Sequence, residues 1–110
     1  MDFQDKEALA GTRDTSKEAA AKRLKAARLM TGLGQQAFGE ASGVSKAAIS
    51  NAEKARSYPG REAMIFLHRE HRVDFNFMIA GEFVQLPNDV QEKLMSALLA
   101  VDSGLDHIPS

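Results

Sequence analysis

The sequence of 110 residues contains no cysteine and no tryptophan, and only three prolines and one tyrosine. The absence of cysteine excludes disulfide bonds, thiolate chemistry and cysteine-ligated zinc sites. No apolar run approaches the roughly 20 residues that a membrane helix needs, and residues 1–5 lack the basic-then-apolar order of a signal peptide. We therefore expect a soluble cytoplasmic protein without membrane contact.

Sequence motifs for catalysis are also missing. No Ser-His-Asp order, phosphate-binding glycine loop or pair of carboxylates in a recognisable frame is present. His68 and His71 have the i, i+3 spacing of metal ligands on a helix, but no carboxylate or cysteine completes a set, so we expect packing roles for both. The sequence thus predicts a chain that is not an enzyme and binds no metal or other cofactor.

The charges that are present are distributed unevenly along the chain. Residues 1–18 carry three basic and five acidic groups, residues 19–61 carry eight and two, and residues 62–110 carry three and eight. A polyanion attracts the middle segment and repels the two flanks. A nucleic-acid surface is therefore expected within residues 19–61, and an ordinary solvated surface is the alternative.

The start of the chain differs in pattern from the stretch that follows it. Residues 1–14 have no sustained apolar period, which predicts a flexible N-terminal arm. Thr15 and Glu18 have the spacing of a capping box in front of an alanine-rich stretch, and Gly32 supplies a stop. We expect a first helix over about residues 16–31.

The rest of the chain is also predicted to be helical. Between Gly34 and Ala80 the apolar residues come in short helical bursts separated by glycines and by the Ser-Tyr-Pro-Gly cluster at residues 57–60, without strand-like alternation. The pattern predicts an all-α domain of five short helices over residues 15–82.

A further helix is expected in the C-terminal segment, residues 83–110. Pro87 or Asn88 begins it and Gly104 ends it. Its apolar residues recur at i, i+4, i+8 and i+11 and form one stripe: Val90, Leu94, Leu98 and Val101. This stripe has to be covered either by its own domain or by a partner chain.

The stretch from Gln35 to Ala52 has the spacing of a helix-turn-helix. The missing side chain of Gly39 allows two helices to cross closely, and Gly43 can adopt the positive φ of a tight turn. Ser45 occupies the position of a helix N-cap, so the next helix is expected to begin at Lys46 and to present its first turn outward.

Over about residues 19–82 the chain resembles the Cro/cI-type (Xre, lambda-repressor-like) helix-turn-helix family of transcriptional regulators. The matching segments, in the family's order, are RLKAAR (residues 23–28), GLGQ (32–35), GVSK (43–46), Pro59 and VDFNFMIAG (73–81). The resemblance implies a five-helix, lambda-repressor-like bundle that binds pseudo-palindromic DNA as a homodimer, with its third helix in the major groove. It therefore favours dimerisation through the C-terminal stripe. Gly34 and Gly39 depart from the family pattern, in which a polar cap and an alanine are commoner.

The resemblance also implies roles for individual residues. Lys46 would donate to guanine, Asn51 would pair with adenine, and the Ala47 methyl group would contact a thymine methyl group. The residues implied to contact the DNA backbone are Gln35, Gln36, Ser45, Ser50, Lys54 and Arg56. A solvated lysine at position 46 and a surface amide at position 51 are the alternatives.

Arg28 and Glu53 correspond to two positions that often form a partly buried ion pair in the family, between the first helix and the end of the third. The resemblance therefore implies a structural role for both residues and no DNA contact.

For the whole chain, the resemblance implies a sequence-specific regulator of transcription that binds a double-stranded DNA operator, most often as a repressor. The alternative is a protein-interaction module derived from the helix-turn-helix, such as an antitoxin or an anti-activator. Such a module would bind a protein partner and would bind DNA only weakly or in an auxiliary role.

Overall fold

The computed structural model describes residues 1–109, which form seven α-helices and no β-strand in that range. The all-α prediction is therefore confirmed. The helices are α1 (Phe3–Ala10), α2 (Lys17–Thr31), α3 (Gln35–Ser42), α4 (Lys46–Glu53), α5 (Arg61–His71), α6 (Phe75–Ala80) and α7 (Asn88–Asp102). Within these residues, no helix is both long enough and apolar enough to cross a membrane.

The first helix of the predicted bundle, α2, is capped one residue later than expected. Ser16 is the N-cap, and its hydroxyl oxygen accepts a hydrogen bond of 3.1 Å from the Ala19 N–H, so Thr15 does not form the predicted capping box. The predicted stop is present, because Gly32 adopts a left-handed conformation with φ of 79°.

The N-terminal residues 1–14, predicted as a flexible arm, instead contain helix α1 (Phe3–Ala10). Asp2 and Asp5 form a reciprocal capping box: the Asp5 N–H donates to the Asp2 carboxylate at 2.8 Å, and the Asp2 N–H donates to Asp5. Only the last two residues of this helix are buried. The sequence pattern missed α1 because so short a buried patch produces no apolar period.

The apolar stripe of α7 is covered within the same chain. Val90, Leu94 and Leu98 are each 2% exposed or less, and Val101 is partly buried against the same core. Helix α7 lies chiefly along α2 and also contacts α1. Because these four residues pack inside their own domain, the prediction that they form a dimer interface is wrong. Four alanines of α2 are also buried: Ala20, Ala21, Ala26 and Ala27.

Candidate nucleic-acid interface

Helices α3 and α4 are joined by a tight turn over residues 43–45. Gly43 adopts a φ of 79°, and the Val44 N–H donates to the Gly39 carbonyl at 2.9 Å. A Cβ atom on Gly39 would collide with the Val44 carbonyl oxygen. The glycine therefore lets the backbone of α3 pack directly on the turn that precedes α4. On the other side of the turn, the Ser45 hydroxyl caps α4 by accepting from the Ala48 N–H at 3.1 Å, as predicted.

Helix α4 has one buried and one exposed side. Ile49 and Ala52 point into the core and are 1% and 3% exposed. Lys46, Ala47 and Asn51, the three candidates for base contacts, are all exposed. Ala47 and Asn51 are one turn apart and Lys46 directly precedes Ala47, so the three lie on the solvent side of the helix, which we call the α4 face.

Most of the residues predicted to contact the DNA backbone surround the α4 face. Gln36, Ser45, Lys54 and Arg56 are exposed, and Ser50 is half-buried. Neither Lys46 nor Lys54 forms an ion pair with any residue that the structure describes. Arg56 Nη1 donates to Asn51 Oδ1 at 3.4 Å, so these two side chains are neighbours at the surface.

Gln35 is placed differently from the other predicted backbone contacts. Its side chain is half-buried, and its amide Nε2 donates to Glu53 Oε1 at 3.2 Å. The amide therefore belongs to an internal hydrogen-bond network. The main-chain N–H of Gln35, in the first turn of α3, is the group that can bind an anion. The N-cap residue Gly34 supplies no side-chain hydrogen bond to this turn.

The predicted ion pair between Arg28 and Glu53 is present. Arg28 Nε and Nη2 donate to the two carboxylate oxygens of Glu53 at 2.6 and 2.9 Å, and the two side chains are only 8% and 5% exposed. Arg28 Nη1 also donates to the Leu33 carbonyl at 3.0 Å. This bidentate pair ties α2 to the end of α4 and to the segment before α3, so it orients the α4 face.

A second buried arginine, Arg23, belongs to the basic segment and to the RLKAAR match, but no individual role was predicted for it. Its side chain is fully buried, and no carboxylate among its hydrogen-bond partners neutralises it. The guanidinium donates instead to the main-chain carbonyls of five residues, at 2.6 to 3.4 Å: Ala10, Gly11, Asp14, Met78 and Ile79. Burial lowers the pKa of Arg23. We call this contact between α1, α2 and α6 the arginine junction.

The arginine junction requires a glycine at position 81. Gly81 has a φ of 72°, and a Cβ atom there would lie 2.7 Å from the Ala10 carbonyl oxygen and 2.9 Å from Arg23 Nη2. This arrangement could not be predicted from the sequence, because an arginine on an amphipathic helix normally points into solvent.

The two lysines of α2 are also paired. Lys22 Nζ lies 2.8 Å from Asp102, and Lys25 Nζ lies 3.1 Å from Asp106. The four basic side chains of α2 within residues 19–61 are thus either buried or paired with a carboxylate. The unmatched cations of that segment lie around α4, at Lys46, Lys54 and Arg56, which narrows the candidate surface to α4 and its ends.

One carboxylate interrupts this basic surface. Glu40 is exposed, accepts from Gln36 Nε2 at 3.3 Å, and lines the same shallow hollow as Lys46. Its charge partly offsets that of Lys46 and opposes the approach of a phosphate.

The two histidines of α5 contact aromatic rings. The His68 ring is stacked on Phe75, and the His71 ring meets the edge of Phe66, both at 5.3 Å between ring centres. Burial lowers the pKa of His71. Over residues 1–109, no three His, Cys, Asp or Glu side chains gather in a way that could hold a metal ion.

The comparisons with known proteins assign no family to this chain. No protein-family model matches the chain, and no curated protein or solved structure shows significant similarity to it. The function is therefore argued from the α4 face and from the charges around it.

Proposed function

We propose that this chain is a sequence-specific, double-stranded-DNA-binding repressor of transcription in the cytoplasm, without enzymatic activity. In this proposal, α2 to α6 form a lambda-repressor-like helix-turn-helix domain of the Cro/cI type, and α4 is its recognition helix. The observation that carries the proposal is that Lys46, Ala47 and Asn51 share the exposed side of a short helix whose opposite side is core.

The shape of the α4 face suits the major groove. An α-helix fits that groove, and its first turn reaches the base edges when the helix enters by its N-terminus. Lys46 and Ala47 occupy that first turn, and Asn51 follows one turn later. The three side chains can recognise guanine, the thymine methyl group and adenine, respectively.

The charges at the ends of α4 support the same orientation. Lys54 and Arg56 follow the helix and are exposed, so they can bind phosphates that flank the bases. The uncapped first turn of α3 offers main-chain N–H groups to another phosphate. Recognition of a pseudo-palindromic operator needs two copies of the chain, and the dimer interface does not include the buried stripe of α7.

The second candidate function is a protein-interaction module, such as an antitoxin or an anti-activator. Phe75 and Ile79 favour it, because they lie one turn apart on α6 and are each 40% exposed. Two neighbouring apolar side chains at the surface provide a small hydrophobic contact for a protein partner.

Selection of bound sequences from a random duplex library near physiological salt separates the two candidates. Non-specific attraction between charges cannot enrich a motif. We expect an enriched inverted repeat with half-sites about one helical turn apart. If folded protein enriches no sequence, the operator-binding proposal is wrong, and a pull-down of protein partners tests the interaction module.

A further inference from the structure

The chain turns back on itself after α7 and runs over the surface of α2. Gly104 has a φ of 73°, and the Leu105 N–H donates to the Ala100 carbonyl at 2.9 Å, which reverses the chain direction. Ile108 then packs, partly buried, against the core. We call residues 102–109 the C-terminal strap, which consists of Asp102 at the end of α7 and the segment that follows the helix.

The strap carries two carboxylates that match two lysines of α2. Asp102 pairs with Lys22 at 2.8 Å, and Asp106 pairs with Lys25 at 3.1 Å. The two lysine side chains are each 26% exposed, whereas those of the two aspartates are 52% and 90% exposed. The strap therefore neutralises two cations without burying its own charges.

The strap also reaches the start of α3. Asp106 and Ile108 line a hollow together with Gly34, the N-cap of α3. In the proposed function, the first turn of α3 binds a phosphate. A carboxylate nearby repels a phosphate that approaches this turn.

We propose that the C-terminal strap is an autoinhibitory electrostatic mask, which withholds Lys22 and Lys25 from the DNA backbone and places Asp106 near the phosphate-binding end of α3. The inference rests on the proposed function for the choice of DNA as the ligand. Exposed ion pairs contribute little stability, so a competing cation or a protein partner can displace the two carboxylates from their lysines without unfolding the domain.

The test is to remove both strap charges in the intact chain, with the double variant Asp102→Asn/Asp106→Asn. Its affinity for a random-sequence duplex is measured by fluorescence anisotropy over a series of salt concentrations. Two additional phosphate contacts make the slope of log K against log salt steeper by up to about 1.8, and they strengthen binding about tenfold or more near 0.1 M salt. Unchanged or weaker binding would contradict the mask.

A matched control removes two negative charges from the beginning of α7, away from the strap. The variant Asp89→Asn/Glu92→Gln has the same net charge as the strap variant, and it also frees a cation, because Asp89 pairs with Arg72 at 2.6 Å. We expect less than about a twofold change in duplex affinity for this control. Equal gains in the two variants would show that net charge alone is responsible and would overturn the mask.

Retention on immobilised heparin distinguishes failure of the mask from failure of the proposed function. If no variant binds a duplex but the strap variant needs more salt to elute from heparin than its control does, the mask stands and the DNA-binding proposal fails. If the strap variant and its control behave alike on both polyanions, the mask is wrong, whatever DNA sequence the wild type selects.

Discussion

Two groups of cations within residues 19–61 have opposite surroundings. Arg23 and Arg28 are buried, one among main-chain carbonyls and the other against a carboxylate. Lys46 and Lys54 are exposed and make no ion pair with a described residue. The first group holds helices together, and the second is available to a ligand. The net charge of a sequence segment therefore overestimates the number of cations that can bind a polyanion.

The largest effect is expected at the arginine junction. Replacing Arg23→Met removes a shared donor from five main-chain carbonyls around α1 and α6, which should destabilise the fold by about 3 kcal/mol or more. Thermal unfolding followed by circular dichroism measures the loss. The control Arg69→Met changes an exposed arginine and should stay within about 0.5 kcal/mol of wild type. Similar melting of the two variants would remove the distinction between buried and exposed cations.

The second-largest effect is expected at the ion pair that orients α4. Glu53→Ala leaves the buried Arg28 without its carboxylate, and we expect a loss of about 3 kcal/mol in the free energy of unfolding. The double variant Arg28→Met/Glu53→Ala should recover part of this loss, because no uncompensated charge remains. A melting temperature that Glu53→Ala leaves unchanged would show that the pair does not contribute to stability.

A smaller effect is expected from Gly39→Ala, which tests how closely α3 packs against the turn that precedes α4. In an unobstructed helix this substitution gains about 1 kcal/mol, but here the new Cβ collides with the Val44 carbonyl. Overpacking of this kind costs about 1 to 3 kcal/mol, so net destabilisation is expected in urea unfolding. The control Gly34→Ser adds a cap in open space and should gain a few tenths of a kcal/mol. Stabilisation by Gly39→Ala would show that α3 and the turn are not in close contact.

The smallest effect is a dependence of stability on pH through His71. Burial lowers its pKa below the ordinary value of 6.5, so the unfolded chain binds the proton more readily than the folded one. Stability is then complete above about pH 6.5 and decreases as the pH falls through the folded-state pKa. Glu70 on α5 acts in the opposite direction, and Lys93 on α7 adds to the lowering.

Urea unfolding at pH 7.5 and 5.5, with His71→Gln as the comparison, measures this dependence. The variant should lose less stability than the wild type between about pH 7 and 5.5. Asp14 and Asp89 also have lowered pKa values, but their contribution falls below about pH 4 and does not interfere. Identical profiles for the two proteins would remove His71 as the cause.

Local patterns in the sequence predicted much of the fold around the candidate site. Gly32, Gly43 and Ser45 have the turn and cap roles expected of them, since these depend on a few neighbouring residues. The exposed positions of Lys46 and Asn51 were expected from the family resemblance and not from spacing, because a separation of five residues places them roughly 140° apart around a helix.

The features that the sequence did not reveal depend on contacts between distant parts of the chain. The environment of Arg23 is created by carbonyls more than 50 residues away as well as by nearby ones, and the pairing of Lys25 depends on Asp106. The stripe of α7 had two possible covers, and its pattern alone could not choose between α2 and a partner chain. Periodicity shows which residues need burial but does not show which surface buries them.

The central claim is that the α4 face recognises bases, and the most direct test uses the selected operator together with a scrambled duplex. Lys46→Ala and Asn51→Ala should each weaken binding to the operator by about 1 to 3 kcal/mol and leave binding to the scrambled duplex nearly unchanged. Arg56→Ala should weaken binding to both duplexes alike and flatten the salt dependence. If the two α4 variants lose equal affinity for both duplexes, the α4 face does not recognise bases.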